Sequence, residues 1–145
     1  MAEPIYFARW GGETGLEQYI LRTTGCKPYS GAGINPRIQQ RTTILKSVDN
    51  TYYYADNLED IQNVRYTLFG HNGDQSESEP KFNEPLLNPE KTEHIYLYRV
   101  IPGEKRSEYL WYGKYVMVGK ETMQHVGKDG ELRNIIVLSL QRTAM

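Results

Sequence analysis

Asn63-Val64-Arg65-Tyr66-Thr67-Leu68-Phe69-Gly70-His71-Asn72-Gly73-Asp74-Gln75 is the stretch on which the fold turns. Val64, Tyr66 and Leu68 alternate with Arg65 and Thr67, so a strand from Asn63 to Gly70 has one apolar side. His71-Asn72-Gly73-Asp74 then reads as a turn, because Asn-Gly suits the positive φ that tight turns need. Gly70, Gly73, Asp74 and Gln75 are expected to form a structural loop. In it the Asp74 carboxylate holds its own backbone and Gln75 braces the sheet.

Towards the C-terminus, Gln75 to Phe82 is polar and acidic and is expected to be mobile. Asn83 is expected to cap a short helical turn through Leu87. His94 to Ile101 reads as a strand with Tyr96, Tyr98 and Val100 on one face, and Pro102-Gly103 begins its turn. Glu108 to Val118 continues as one or two strands, with Gly113 as a bend or bulge. Asp129-Gly130 marks another turn before a closing strand, Leu132 to Gln141. Towards the N-terminus, Arg41 to Ser47 is a strand and Asn50 to Tyr54 a candidate for another. Lys27 to Gln40, rich in Gly, Pro, Ser and Asn, reads as a loop. Thr14 is placed to cap a helix over Gly15 to Thr24, with Leu16, Tyr19 and Ile20 on one face and Gly25 closing it. Pro4 to Trp10 is a first strand. There is no internal repeat, heptad run or interior linker. One domain over residues 1–145 follows, α+β but mostly β, with a largely antiparallel, barrel-like sheet.

A chain of 145 residues suits one domain and buries enough surface to fold without a disulfide or metal. Cys26 is the only cysteine, so no internal disulfide forms, which favours a reducing compartment. The opening residues lack a basic stretch followed by an apolar one, and the longest apolar run, Ile135 to Leu138, is too short to cross a bilayer. The expectation is a cytoplasmic or nuclear protein, not secreted and not membrane-bound. Twelve tyrosines against three phenylalanines suit strands and half-wet surfaces. The net charge of −1 hides a segregation. Gln18 to Val48 has five bases and no acid, Asp49 to Glu93 has ten acids and three bases, and the remainder is basic. The overall balance argues against strong non-specific DNA binding, which is driven by phosphate neutralisation.

The search for catalytic chemistry is negative. His71, His94 and His125 lack zinc-type spacing, and Cys26 has no histidine near it in sequence. No nucleophile-elbow or phosphate-loop motif occurs. Asp74, Glu79 and Lys81 form only a faint nuclease-like set in what reads as a polar loop. No enzyme activity, cofactor or metal is expected.

An ordered series of motifs runs through most of the chain: Gly33-Ile34-Asn35-Pro36, Thr43-Ile44-Leu45, Tyr53-Tyr54-Ala55-Asp56, then Tyr66-Thr67-Leu68-Phe69-Gly70-His71-Asn72-Gly73-Asp74-Gln75. Asn83, Leu86-Leu87, Tyr96-Leu97-Tyr98, Tyr109-Leu110-Trp111-Tyr112-Gly113 and Asp129-Gly130 complete it. This order resembles SRA/YDG-type domains of the PUA superfamily, especially the SRA-like and sulfur-binding domains of McrA-type HNH restriction endonucleases. Leu68 stands where that pattern has a glycine. The resemblance implies a half-open β-barrel with one or two short helices. It also implies a reader that turns a modified base out of DNA, stacks it between aromatic rings and hydrogen-bonds it through an acid. The matching pocket residues are Tyr53, Tyr54, Asp56 and Tyr66. The nuclease half of those enzymes is absent from the sequence.

Lys27, Arg37 and Arg41 bracket the acid-free stretch Gly31 to Gln40, which suits a loop that follows phosphates. Lys105 and Arg106 are candidates for the opposite side, and Arg133 is either a surface charge or a phosphate contact. On this reading the partner is modified DNA. Tyr66→Ala and Asp56→Ala are expected to abolish preference for a modified duplex with the fold intact. The alternative is a protein-interaction module on the same barrel, as a homodimer or with another protein, which would suit a virus or mobile element. A third class is a binder of free nucleotides.

Overall fold

Period-two alternation sorts the middle of the chain into two hydrophobic layers. In strand β3 (Thr42–Val48), Leu45 points into the barrel and Ile44 points out, towards helix α1 (Leu16–Thr24). In β5 (His94–Ile101), Leu97 goes in and Tyr96, Tyr98 and Val100 go out. The computed structural model describes residues 3–28 and 31–145. The stretch from Lys27 to Gln40 therefore lies partly outside the described residues, at positions 29 and 30.

The remaining elements are β1 (Ile5–Phe7), β2 (Ile34–Arg37), a single 3-10 turn (Ile38–Gln40), β4 (Asn63–Thr67), α2 (Asn83–Leu87), β6 (Glu108–Val126) and β7 (Leu132–Ala144). The sheet runs β2-β3-β5-β6-β7-β4, with β1 added to β6. Every strand pairing is antiparallel except β3 with β5, which is parallel. The two end strands, β2 and β4, do not pair, so the barrel stays open along one seam. The Tyr66 hydroxyl on β4 spans that seam to the carbonyl oxygens of Gly33 and Lys46, 3.0 Å from each. A side chain at Gly33 would crowd this hydroxyl, because a Cβ there would lie 3.3 Å from it.

Inside the barrel, Leu45, Val64, Leu68, Leu97, Tyr112 and Leu138 are among the buried core residues. Leu68 is fully buried there, so the position where the family pattern has glycine is filled by packing. Outside it, α1 lays Leu16 and Ile20 over Trp111, Tyr98 and Ile44.

Several local expectations change. The first strand is only three residues long. Helix α1 starts at Leu16 behind Gly15 and gains no side-chain cap from Thr14. The expected loop from Lys27 to Gln40 contains β2, whose Pro36 is tolerated because β2 is an edge strand. Asn50 to Tyr54 forms turns, not a strand. The polar stretch after Gln75 is pinned: Asn83, buried inside α2, donates to the carbonyls of Phe69 and Ser76, each at 3.0 Å. The Glu79 carboxylate, not Asn83, accepts the first helical N–H groups. β6 runs eight residues past Val118, because its second half pairs with β7 in a long hairpin. Among the described residues no helix is long and apolar enough to cross a membrane.

Candidate functional site

Where the seam fails to close, a cavity of about 410 Å³ opens. Residues 51–56, which follow β3, form its roof, the end of β4 forms one wall, and Gly31 to Ile34 forms the other. Tyr53, Tyr54, Asp56 and Tyr66 all line it. The roof is held by local bonds. Thr51 donates its hydroxyl to the Val48 carbonyl at 2.9 Å, and the Ala55 N–H donates to the Thr67 hydroxyl at 2.8 Å. Asn57 pairs with Arg65 through both backbone groups, at 2.9 Å each way.

The Asp56 carboxylate accepts the Thr67 N–H at 2.7 Å on one oxygen and the Ser47 hydroxyl at 2.8 Å on the other. Burial raises its pKa, and these two donors oppose the rise. A carboxylate offers about four lone-pair sites, so acceptor capacity remains for a ligand donor. Burial also pushes the Tyr54 phenol up to about 12 and raises Tyr66 well above its ordinary value. Both phenols therefore stay neutral donors across the physiological range. Tyr66 is 3% exposed, so it is as much core as pocket wall. Its truncation to alanine is expected to damage the fold, which corrects the expectation that the fold would stay intact.

The rings form a continuous arc. Tyr53 lies 5.2 Å from Tyr52, 4.9 Å from Tyr54 and 5.3 Å from His71. His71 lies 5.6 Å from Phe69, which in turn lies 4.6 Å from Phe82. Partial burial, then the charges of Lys128 and Arg133, lower the His71 pKa and favour a neutral imidazole. Lys128 sits 5.8 Å from the Tyr53 ring centre, and Lys81 sits 5.3 Å from that of Phe82, both within cation–π range. His71, Phe69, Phe82, Lys81 and Lys128 are not among the pocket or phosphate-contact residues read from the sequence, where Lys81 stands only in the faint nuclease-like set with Asp74 and Glu79. The available signal was the aromatic content of Phe69-Gly70-His71 and Lys81-Phe82 on either side of an acidic run.

Arg133 is 4% exposed. Its guanidinium donates to the Tyr53 carbonyl at 2.6 Å, and also to the carbonyl of Gly70. This corrects the expectation of a surface charge or phosphate contact: Arg133 clasps the Tyr53 segment to the Gly70 loop. Gln75 donates to the Leu68 and Gly70 carbonyls at 2.7 and 3.1 Å and accepts the Ile136 N–H at 2.8 Å. Asp74 accepts the Asn134 N–H of β7 at 2.8 Å, which corrects the expectation that its carboxylate holds its own loop. Gly70 and Gly73 both take positive φ.

The other expected phosphate contacts do not line the cavity. Arg41 lies at the far end of β3, bonded to the Pro89 carbonyl at 2.8 Å and paired with Glu93 at 3.2 Å. The Arg37 guanidinium donates to the Lys27 carbonyl at 2.8 Å, also beside the Thr42 end of β3. Lys27 is exposed, and so are Lys105 and Arg106 on the β5–β6 hairpin. Ion pairs bridge part of the charge segregation seen along the sequence. Arg99 with Asp49, Lys120 with Glu77 and Arg41 with Glu93 join segments of opposite charge.

Tyr54 and Asp56 also border a second, broader hollow of about 640 Å³. Its one guanidinium, Arg99, is held by both Asp49 oxygens at 2.6 and 2.7 Å, which leaves little charge for a ligand. The aromatic cavity is therefore the better candidate.

No protein-family model matches the sequence, and no curated protein matches it. Solved structures do match. The type IV phosphorothioation-dependent restriction endonuclease ScoMcrA is similar over all of this chain and 28% of its own, with 16% identity and a TM-score of 0.61. The SRA domain of SUVH5, in a complex with methylated CHH DNA, matches over 94% of this chain and 89% of its own, at 18% identity and a TM-score of 0.57. MspJI restriction endonuclease, in complex with a 27-mer oligonucleotide, matches over 95% and 41%, at 16% identity and a TM-score of 0.65. The chain thus spans less than half of either endonuclease and nearly all of the SUVH5 domain. Its fold is SRA-like, as the sequence resemblance implied.

Proposed function

We propose that this domain is a non-catalytic reader of modified DNA that holds one extruded base in the seam cavity. The observation that carries the reading is the convergence of Tyr53, Tyr54, Asp56 and Tyr66 on one cavity from two separate stretches of chain. Tyr53 offers a ring face, Asp56 accepts from an exocyclic amine, and Tyr66 forms the floor. Extruding a base costs a few kcal/mol, and stacking returns about 1–3 kcal/mol per base. Two ring contacts and one hydrogen bond therefore offset the cost. The modified-DNA ligands of the structural neighbours support the same assignment. Lys81 and Lys128 at the aromatic arc, with Lys105 and Arg106 on their hairpin, are the cations assigned to phosphates.

The test is an anisotropy titration with duplexes carrying 5-methylcytosine, 5-hydroxymethylcytosine or a phosphorothioate linkage, against the plain duplex. One modified duplex is expected to bind at least tenfold tighter than plain, and Tyr53→Ala is expected to erase the difference without lowering Tm. Equal affinity for every duplex rejects the reading.

A second reading, a protein-interaction surface, is favoured by β6. Beyond Tyr115 this strand pairs only with β7, and it exposes Val116, Met117, Val118 and Met123. Such an open, partly apolar edge is a template for strand addition. Light scattering checks it: a dimer in the wild type that Val118→Lys dissolves favours this edge as an interface.

A further inference from the structure

We propose that a groove beside the cavity takes the neighbouring nucleotide of the same strand, so that the protein grips an unpaired dinucleotide. The inference rests on the base-reading function proposed above and extends it to the form of nucleic acid bound.

The groove encloses about 560 Å³ between Pro36, Ile38, Pro80, Phe82 and Pro85. It shares Gly31, Ala32, Lys81 and Phe82 with the base cavity, so the two spaces adjoin across the Lys81-Phe82 wall. Ile38 is 54% exposed, an isolated aliphatic side chain on the outer lip. Among the described residues a Cβ at Gly31, on the other lip, would meet nothing within 4 Å.

The order of chemistry along this path is aromatic cavity, cation, apolar groove. Among the described residues lining the groove Lys81 is the one charged residue, and it stands at the junction. Its nearest acid in sequence, Glu79, is turned away, its carboxylate accepting the N–H groups of Lys81, Phe82 and Asn83 at 3.0, 2.8 and 2.9 Å. The other nearby acids, Glu84 and Glu77, are paired with Lys91 and Lys120. Lys81 has no ion-pair partner among the described residues. A base, a phosphate and a second base present the complementary order: π-face, anion, π-face.

A base that remains paired and stacked in a duplex cannot enter a groove between prolines. The arrangement therefore favours a single strand, or a site where two consecutive nucleotides leave the helix. Apolar contact from Ile38, Pro36 and Phe82 is tolerant of base identity, since every base has a π-face. Lys81 adds one phosphate contact without sequence information.

The experiment uses the full chain and labelled 12-nucleotide strands with one central 5-methylcytosine or cytosine, single or annealed. In two further versions, the 5′ or the 3′ neighbour of the central base is abasic. The single strand is expected to bind at least as tightly as the duplex. One of the two abasic strands is expected to bind about tenfold more weakly, the scale of one stacked base. Ile38→Asp, at an exposed position, should produce the same loss on the intact strand and leave the abasic strand unchanged. Lys81→Gln should reduce the slope of log affinity against log salt by about one.

If both abasic strands bind within twofold of the intact strand while Tyr53→Ala erases the preference for 5-methylcytosine, the groove assignment is overturned and the single-base reading stands. If the abasic penalty persists undiminished in Ile38→Asp, the neighbour sits elsewhere and the assignment falls. Failure of every strand and duplex to bind overturns both.

Discussion

Two aromatic clusters with similar ring spacing meet opposite fates in this molecule. On the outer face of the sheet, Trp10 and Tyr98 lie 5.4 Å apart and Tyr96 stacks on Trp111 at 5.7 Å. Helix α1 covers Trp111 and Tyr98, which are at most 1% exposed, and a hollow of only about 250 Å³ remains beside Trp10, Tyr98 and Tyr109. At the seam, Tyr53, Tyr54 and His71 sit at comparable distances, yet they border the open cavity. The five-residue α2 contributes Pro85 to the adjoining groove and no residue to the cavity lining. Ring content and ring geometry therefore do not mark a binding site. What marks it is the size and lining of the space left against the rings: about 410 Å³ with Asp56 in its wall at the seam, about 250 Å³ beside Trp10 on the outer face.

Trp111→Ala should give the largest effect that sharpens this contrast. Removing a fully buried indole costs about 3–5 kcal/mol, seen as a lower denaturation midpoint in urea. A loss under about 1 kcal/mol would mean that the α1 face is not packed as described. Arg133→Met comes next. It keeps the buried stem but removes the donors to the carbonyls of Tyr53 and Gly70, and bonds from a charged donor are worth about 1.5–3 kcal/mol each before relaxation. The expected loss is about 2–3 kcal/mol. It should be accompanied by faster hydrogen exchange at residues 52–55, since the clasp joins that segment to the Gly70 loop. Unchanged exchange there would show that the roof is held by other bonds.

The covered cluster was readable in the sequence and the seam only partly so. Tyr96, Tyr98 and Val100 alternate cleanly, and β5 occupies the residues that alternation indicates. Tyr66 and Asp56 were found through an ordered resemblance, because two segments ten residues apart carry no periodic sign of meeting across a gap. Arg133 was misplaced because its neighbours Leu132 and Asn134 are exposed on the hairpin, and nothing local says that the alternate face is closed by the Gly70 loop. β2 was hidden because Pro36 and Gly33 read as loop, although an edge strand accepts both. His71 and Lys81 showed only as part of two aromatic stretches flanking an acidic run, and Lys128 left no signal, because their meeting depends on loop-to-loop approach.

Tyr66→Phe tests the residue that belongs to both regimes. The ring stays in the barrel core, while the hydroxyl bridge to the Gly33 and Lys46 carbonyls is lost. Leaving buried acceptors unpaired costs about 1–3 kcal/mol. The loss should fall at the lower end, since both carbonyls lie at the rim of an open seam. Base binding should survive, because the ring face is intact. A variant that keeps full stability but loses binding would assign the hydroxyl to the ligand rather than to the seam.

The smallest expected effect is a pH dependence confined to the seam. His71 has its pKa held below the ordinary 6.5 by burial and by the charges of Lys128 and Arg133. The unfolded chain therefore takes up a proton near 6.5 while the folded chain does not until the pH is lower. In that window the unfolded state binds more protons, so stability falls as the pH drops, and above 6.5 the contribution is constant. Asp56, raised by burial, acts in the opposite sense at lower pH, gaining stability as the pH falls towards its own range. On the covered face, Tyr96 and Tyr98 are raised above 10.0 and contribute nothing between pH 5 and 8. His71→Phe keeps a ring against Tyr53 and Phe69 and removes only the titration. Urea midpoints of wild type and variant should run parallel above pH 6.5 and diverge below it, with the wild type losing stability relative to the variant. Curves that stay parallel down to pH 5 would place the imidazole in water, outside the arc that the comparison assigns to it.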